Sequence, residues 1–128
     1  MSFLQKKLGR RLAKFIGLAG LFAMTAGGAV ADQPKWIWGA KNAKDGETVF
    51  FRKNIKLNKS TKTAKLTMSC DNGFEAFVNG KKVLVGSEWA AAQTADIKKH
   101  LKTGMNVIAV RAWNDGGVAG LVGQLDVA

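Results

Sequence analysis

The chain has 128 residues, with 20 Lys and Arg against 9 Asp and Glu, a formal charge of +11. That length allows one domain. It excludes a TIM barrel of about 250 residues and any dinucleotide-binding unit paired with a substrate domain. One His, one Cys and no P-loop, HExxH, CxxC or GxSxG pattern leave no ready-made metal or nucleophile chemistry.

Residues 1–14 hold Lys6, Lys7, Arg10, Arg11 and Lys14 and no acid, and 15–31 run uncharged to Ala29-Val30-Ala31 before Asp32. A basic head, an apolar middle and an A-x-A end describe a cleaved secretory signal, expected to be helical. Arg10-Arg11 also fits the twin-arginine class loosely. A membrane anchor is the competing reading, but a spanning helix needs about 20 apolar residues. The stretch 15–31 is shorter and contains Gly17, Gly20, Gly27 and Gly28. The expectation is a signal peptide over 1–31 and a domain over 32–128, periplasmic or secreted, with no stable membrane span after cleavage. Residues 32–128 keep 15 basic and 9 acidic side chains, a net +6. Cys70 is then a lone thiol in an oxidising compartment and is expected to be buried rather than bridged.

From Asp32 onward the pattern is strand and turn. Trp36-Ile37-Trp38 is a short aromatic run after Pro34. Residues 49–57 are rich in β-formers. Ala64, Leu66, Met68 and Cys70 alternate with Lys65, Thr67, Ser69 and Asp71, the period of a half-buried strand. Residues 74–78 and 81–85 flank Asn79-Gly80, a strong hairpin signal because a type I′ turn needs positive φ at both positions. Ala90-Ala91-Ala92-Gln93 reads as a turn of helix. Asp96 to Leu101 reads as a single helical turn behind an Asp cap. Residues 107–113 form an apolar run broken by Arg111, expected as a central strand packed on both faces, and 121–127 close the chain. Seven or eight short strands with frequent turns predict an all-β, antiparallel β-sandwich. With no disulfide, the core is expected to lean on aromatics: Trp36, Trp38, Phe50, Phe51, Phe74, Phe77, Trp89 and Trp113.

The order of these motifs resembles the galactose-binding-like jelly roll. The pieces that carry the resemblance are Trp36-Ile37-Trp38, Phe51-Arg52-Lys53, Asp71-Asn72-Gly73, Val78-Asn79-Gly80-Lys81, Leu101-Lys102-x-Gly104-x-Asn106-Val107-Ile108-Ala109-Val110 and Trp113-Asn114. The similarity is greatest to accessory sugar-binding domains of bacterial α-L-rhamnosidases and to the sandwich domains of β-galactosidase-type glycosidases. It implies a non-catalytic carbohydrate-binding module whose partner is a glycan or polysaccharide. It also implies that Asp71 and Asn72 hold calcium and sugar hydroxyls. Oxygen donors of this kind suit calcium, which takes 6–8 of them. The plainer reading of Asp71-Asn72-Gly73 is a turn.

Glu88-Trp89 is a candidate platform, since an indole face covers the apolar side of a sugar ring. Asn114, before Asp115-Gly116-Gly117, is a further candidate ligand. One of Trp36 and Trp38 is expected in the core, leaving the other to line a groove. No two of the nine acids form a convincing pair for glycoside hydrolysis, so catalysis is not expected. The Lys series 53, 56, 59, 62, 65 and the cluster Lys98, Lys99, Lys102 read as a solvated face; a polyanion-binding face is the sharper alternative. Nucleic acid is not expected, because both runs lack interleaved aromatics. The alternative function is a structural or interaction protein that docks on another envelope protein and has no sugar site.

Overall fold

The computed structural model describes residues 11–14 and 34–128. Eight strands lie among them: β1 (Arg11–Lys14), β2 (Thr48–Leu57), β3 (Ala64–Asp71), β4 (Gly73–Val78), β5 (Lys81–Gly86), β6 (Gln93–Asp96), β7 (Gly104–Trp113) and β8 (Gly120–Val127). One sheet has the order β1-β8-β3-β6 and the other β2-β7-β4-β5, with every pairing antiparallel. The two sheets enclose one core, so the expected sandwich is the observed architecture.

Alternation builds the core. Ala64, Leu66, Met68 and Cys70 of β3 face Val127, Leu125, Gly123 and Leu121 of β8 in register. Ile108, Val110 and Ala112 of β7 supply the opposing layer with Phe74, Ala76 and Val78 of β4. Each large aliphatic side chain removed from water here is worth about 1.5–3 kcal/mol. The expected aromatic core is corrected: only Trp38, Phe51 and Phe74 of the eight rings are buried, and the interior is mainly aliphatic. Phe50 is 74% exposed, because it alternates with Phe51 on β2 and takes the outward position. The expectation for β7 is corrected in the same way. It is central in its sheet, yet Met105 and Arg111 stand in solvent while Val107, Ala109 and Trp113 are half-buried. A two-layer sandwich offers each sheet one dry face.

Asn79 (φ 49°) and Gly80 (φ 82°) make the expected tight hairpin between β4 and β5. Asn106 is fully buried at the start of β7 and spends its amide on the preceding turn. Its Oδ1 accepts from Lys102 N–H at 2.9 Å and from Asn79 Nδ2 at 2.8 Å, and its Nδ2 donates to the carbonyls of Lys102 and Gly104. The alanine run is a turn and not a helix, and it leads into β6, an edge strand whose one β-former is Thr94. The expected helical turn is a short 3-10 helix (Lys98–His100), with Asp96 Oδ1 accepting from Lys98 N–H at 2.9 Å.

Of the segment expected to be a helical signal, only 11–14 are described. They are extended along the outer edge of β8, where an edge strand offers unpaired backbone groups. The remaining residues of 1–31, with the expected cleavage point, lie outside the described residues. Among those described, no helix is long and apolar enough to cross a membrane.

Candidate functional site

The chain changes sheets at one end of the sandwich three times. Asp71-Asn72-Gly73 carries it from β3 to β4, residues 87–92 from β5 to β6, and residues 114–119 from β7 to β8. Residues from all three crossings meet the lead-in segment in one groove of about 320 Å³, lined by Trp36, Asp71, Trp89, Val118, Ala119 and Gly120.

Each wall is placed by a nameable contact. Trp36 precedes Ile37, whose N–H and C=O bond the carbonyl and N–H of Leu121 at 2.9 and 2.8 Å. This single bridge fixes the lead-in segment across the start of β8. Gly120 then lies directly under Trp36, since a Cβ there would stand 2.8 Å from the indole Cε3. Trp38 turns inward and donates from Nε1 to Glu47 Oε2 at 2.9 Å. This bond, with a second from Lys44 N–H, holds the Glu47 carboxyl below its usual range. The opposite wall, Trp89, is tied to the sheet through its carbonyl, which accepts from the buried Ser69 Oγ. Ser69 and Asp71 share the outward face of β3, so Trp89 is anchored one residue pair below the carboxylate. The indoles remain available: Trp36 is 49% and Trp89 57% exposed.

The other candidate residues separate by role. Asn72 donates its N–H to the Trp113 carbonyl at 3.0 Å and accepts Asp115 N–H on Oδ1 at 2.7 Å, tying the first crossing to the third. Asn114 is fully buried. Its Nδ2 donates to Lys44 O at 3.1 Å and Gly117 O at 3.0 Å, and its Oδ1 accepts from Gly116 N–H at 3.2 Å. It presents nothing to the groove and acts as a buttress beneath it, contrary to its expected place among the ligands. Glu88 is separated from its neighbour Trp89. It lines a second hollow of about 380 Å³ with Phe74, Glu75, Val85, Gln93 and Trp113. There Glu75 is held below the usual carboxylate range mainly by its 2.7 Å bond from Lys82, with Arg111 at 3.5 Å, and Arg111 lies over the Trp113 ring at 5.3 Å.

Sequence reasoning missed Val118, Ala119 and Gly120. They carry no chemical signature, and only the register of β8 against β3, with Gly120 opposite Asp71, brings them to the groove. Cys70 is buried on the inner face, and burial, with the charge of Asp71 adding to it, pushes its thiol up to about 12.

As a calcium site the donor set is thin. Asp71 offers one carboxylate and Asn72 one amide oxygen already accepting a hydrogen bond. No group of three or more His, Cys, Asp or Glu side chains gathers among the described residues. Since calcium takes 6–8 oxygens, most would have to come from backbone, water and bound hydroxyls.

No family model and no curated protein matches the sequence. Solved structures do match. An α-L-rhamnosidase of Streptomyces avermitilis, complexed with L-rhamnose, is 27% identical over 72% of this chain, with a TM-score of 0.68. The GH78 rhamnosidase of Bacillus sp. GL1 is 27% identical over the same share, with a TM-score of 0.66. The apo lectin of Pleurotus ostreatus is 29% identical over 72% of the chain, with a TM-score of 0.61. The chain spans 10% and 11% of the two rhamnosidases and 28% of the lectin.

Proposed function

We propose that this chain, a galactose-binding-like β-sandwich, is a non-catalytic carbohydrate-binding module exported from the cytoplasm. The observation that carries the proposal is the groove itself, in which two half-exposed indoles stand over a floor of small residues with the Asp71 carboxylate at its edge. Indole faces cover the apolar side of a sugar ring while a carboxylate accepts from its hydroxyls. Segments of similar fold belong to a rhamnosidase solved with L-rhamnose and to a lectin solved with GalNAc, which supports a glycan as the ligand class. One carboxylate lines the groove, whereas glycoside hydrolysis takes two facing across about 5–9.5 Å; this supports binding without turnover.

Calcium assistance is a proposal of limited form. Asp71 and Asn72 Oδ1 would hold the ion, and its chemistry would be to bridge them to vicinal hydroxyls. A glycan array on the purified protein, run with calcium and again with chelator, tests both points. Binding is expected, and Trp36→Ala and Trp89→Ala are each expected to weaken it by about 2 kcal/mol, roughly thirtyfold. Binding to no glycan in either condition refutes the module. Binding unchanged by chelator removes calcium alone. Export is tested by the mass of the protein recovered outside the cytoplasm, which should correspond to a start at Asp32.

A second reading, docking on an envelope protein without a sugar site, rests on the outer face of the β2-β7-β4-β5 sheet. There Phe50 is 74%, Val85 53% and Met105 52% exposed. A Phe50→Ser variant that loses a co-purifying partner while every glycan is ignored would favour it.

A further inference from the structure

The lysines that the groove does not use gather at the opposite pole, and we infer that this pole docks the protein on an anionic lipid surface, with the Trp36–Trp89 groove turned outward. The topology brings them together. β2 ends with Lys56 exposed, and the loop into β3 adds Lys59 and Lys62. The hairpin contributes Lys81, two residues after Asn79, whose Nδ2 bonds Asn106 Oδ1 and the carbonyl of His100. The stretch from β6 to β7 adds Lys98, Lys99 and Lys102. Lys65, in the second position of β3, completes the set. All eight side chains are exposed.

Among the described residues two acidic side chains share this pole, Asp96 and Asp126. Both are the register partners of Lys65, and both already accept hydrogen bonds, from Lys98 N–H and from Gln124 Nε2. Eight lysines against two acids make +6, which is the whole side-chain excess of residues 32–128; the other seven bases there are balanced by seven acids. The pole and the groove are separated by the length of β7, ten residues, or roughly 30 Å at 3.3 Å per residue. That is several times the Debye length of about 8 Å at physiological salt, so the acids around the groove do not screen the lysines.

The kind of charge selects the partner. Among residues 34–128 every cation at the pole is a lysine, a point charge on a flexible stem, with no arginine fork to grip one phosphate or carboxylate in fixed geometry. Among the described residues only Met105 of the exposed large apolar ones lies at this end, so no exposed Trp or Phe among them stands there to stack on a base or a sugar. Such a pole suits a diffuse, flat field of negative headgroups, where each lysine near the surface contributes about fivefold to partitioning. The docking does not depend on the groove binding sugar.

The test is co-sedimentation of the protein recovered outside the cytoplasm with phosphatidylcholine vesicles and with vesicles of phosphatidylcholine and phosphatidylglycerol. The expected result is binding to the mixed vesicles at low salt, lost in 0.5 M sodium chloride. The triple variant Lys59→Gln, Lys62→Gln, Lys99→Gln should bind at least about 25-fold more weakly. A control with Lys41→Gln, Lys44→Gln and Arg52→Gln, equal in charge but away from the pole, should bind as the parent does. The inference is overturned if the pole variant binds within twofold of the parent, if the control loses as much, or if binding persists on pure phosphatidylcholine. It is also overturned if soluble polygalacturonate competes the protein off the vesicles through the same lysines, since the occupant is then a polymer. A glycan array on the pole variant, expected unchanged, keeps the failure of this inference distinct from that of the sugar reading.

Discussion

Replacing Asn114 with alanine separates a buttress from a ligand. The side chain is fully buried and makes three hydrogen bonds, to Lys44 O, Gly117 O and Gly116 N–H. The backbone bonds of Asn114, to Glu47 O at 2.9 Å and from Gly46 N–H at 2.7 Å, survive the change. At about 1 kcal/mol net per bond the loss totals about 3 kcal/mol. Lys44, Gly116 and Gly117 are exposed residues, so water can reach their stranded groups, and about 2 kcal/mol is the working figure. For a domain of this size that lowers the melting temperature by about 8–16 °C. The assay is thermal and urea unfolding of both proteins, followed by glycan titration well below the variant's melting temperature. The reasoning predicts a marked stability loss and a smaller loss of affinity, the latter through loosening of residues 114–119. An Asn114→Ala protein that melts within about 2 °C of the parent yet no longer binds would refute it, because the amide would then be touching the ligand.

Four further outcomes follow from the geometry. Gly120→Ala places a methyl 2.8 Å from the Trp36 ring; because that ring is half-exposed it should swing aside, costing under about 1 kcal/mol of stability while glycan affinity falls at least about tenfold, and unchanged affinity would remove Trp36 from the site. Ser69→Ala deletes the donor that holds the Trp89 carbonyl; hydrogen exchange should quicken at residues 87–92 and affinity should drop, whereas protection equal to the parent's would show that the bond does not hold the loop. The Trp38 Nε1–H bond, followed by that from Lys44 N–H, lowers the Glu47 carboxyl, so its stabilisation is complete above the ordinary value of 4.5 and drains as pH falls through the lower folded value; Glu47→Gln should flatten the decline in melting temperature below pH 4.5, and a parallel decline in both proteins would contradict the assignment. Cys70, with its thiol at about 12, should ignore a disulfide reagent at pH 8 in the native protein and react fully once unfolded, and fast native labelling would place it nearer the surface.

What was legible in the sequence was whatever obeys a local rule. The alternation from Ala64 to Cys70 announced β3 and its buried face, and Asn79-Gly80 announced the hairpin, because both depend on periods or φ angles that neighbours alone dictate. β6 was not legible. Gln93-Thr94-Ala95-Asp96 has weak strand propensity and exists because the edge of β3 pairs it, Leu66 with Ala95 and Met68 with Gln93. The aromatic core was misjudged for a similar reason. Hydrophobicity says a ring prefers burial, but the sheet face a residue occupies is set by strand parity, and Phe50 falls on the wet side. Trp36 and Trp38 part company as expected, one to the groove and one to the core, although they share a period of two, because the segment is held by one bridge at Ile37 rather than by a ladder. Within the site, Asp71 and Trp89 stood out by chemistry. Asn114 stood out for the same reason and proved to face the other way.

The groove and the stability of the sandwich are linked through the crossings that form it. A glycan groove built from loops loses affinity to the cost of ordering them, and here that cost is met by folding. The carbonyl of Trp89 is held by Ser69, the third crossing by Asn72 Oδ1 on Asp115 N–H, and the lead-in segment by Asn114 on Lys44 O and by Ile37 on Leu121. Each tie joins a crossing or the lead-in segment to a strand or to one another. A substitution that weakens a tie therefore reaches binding through order, whereas one that removes an indole reaches it through contact. The two kinds should separate in titration calorimetry at fixed temperature. Loss of a tie should make the binding entropy less favourable with the enthalpy nearly kept, and loss of Trp36 or Trp89 should fall first on the enthalpy. If both kinds gave the same signature, the loops would already be equally ordered without their ties, and the groove would owe its shape to the strands alone.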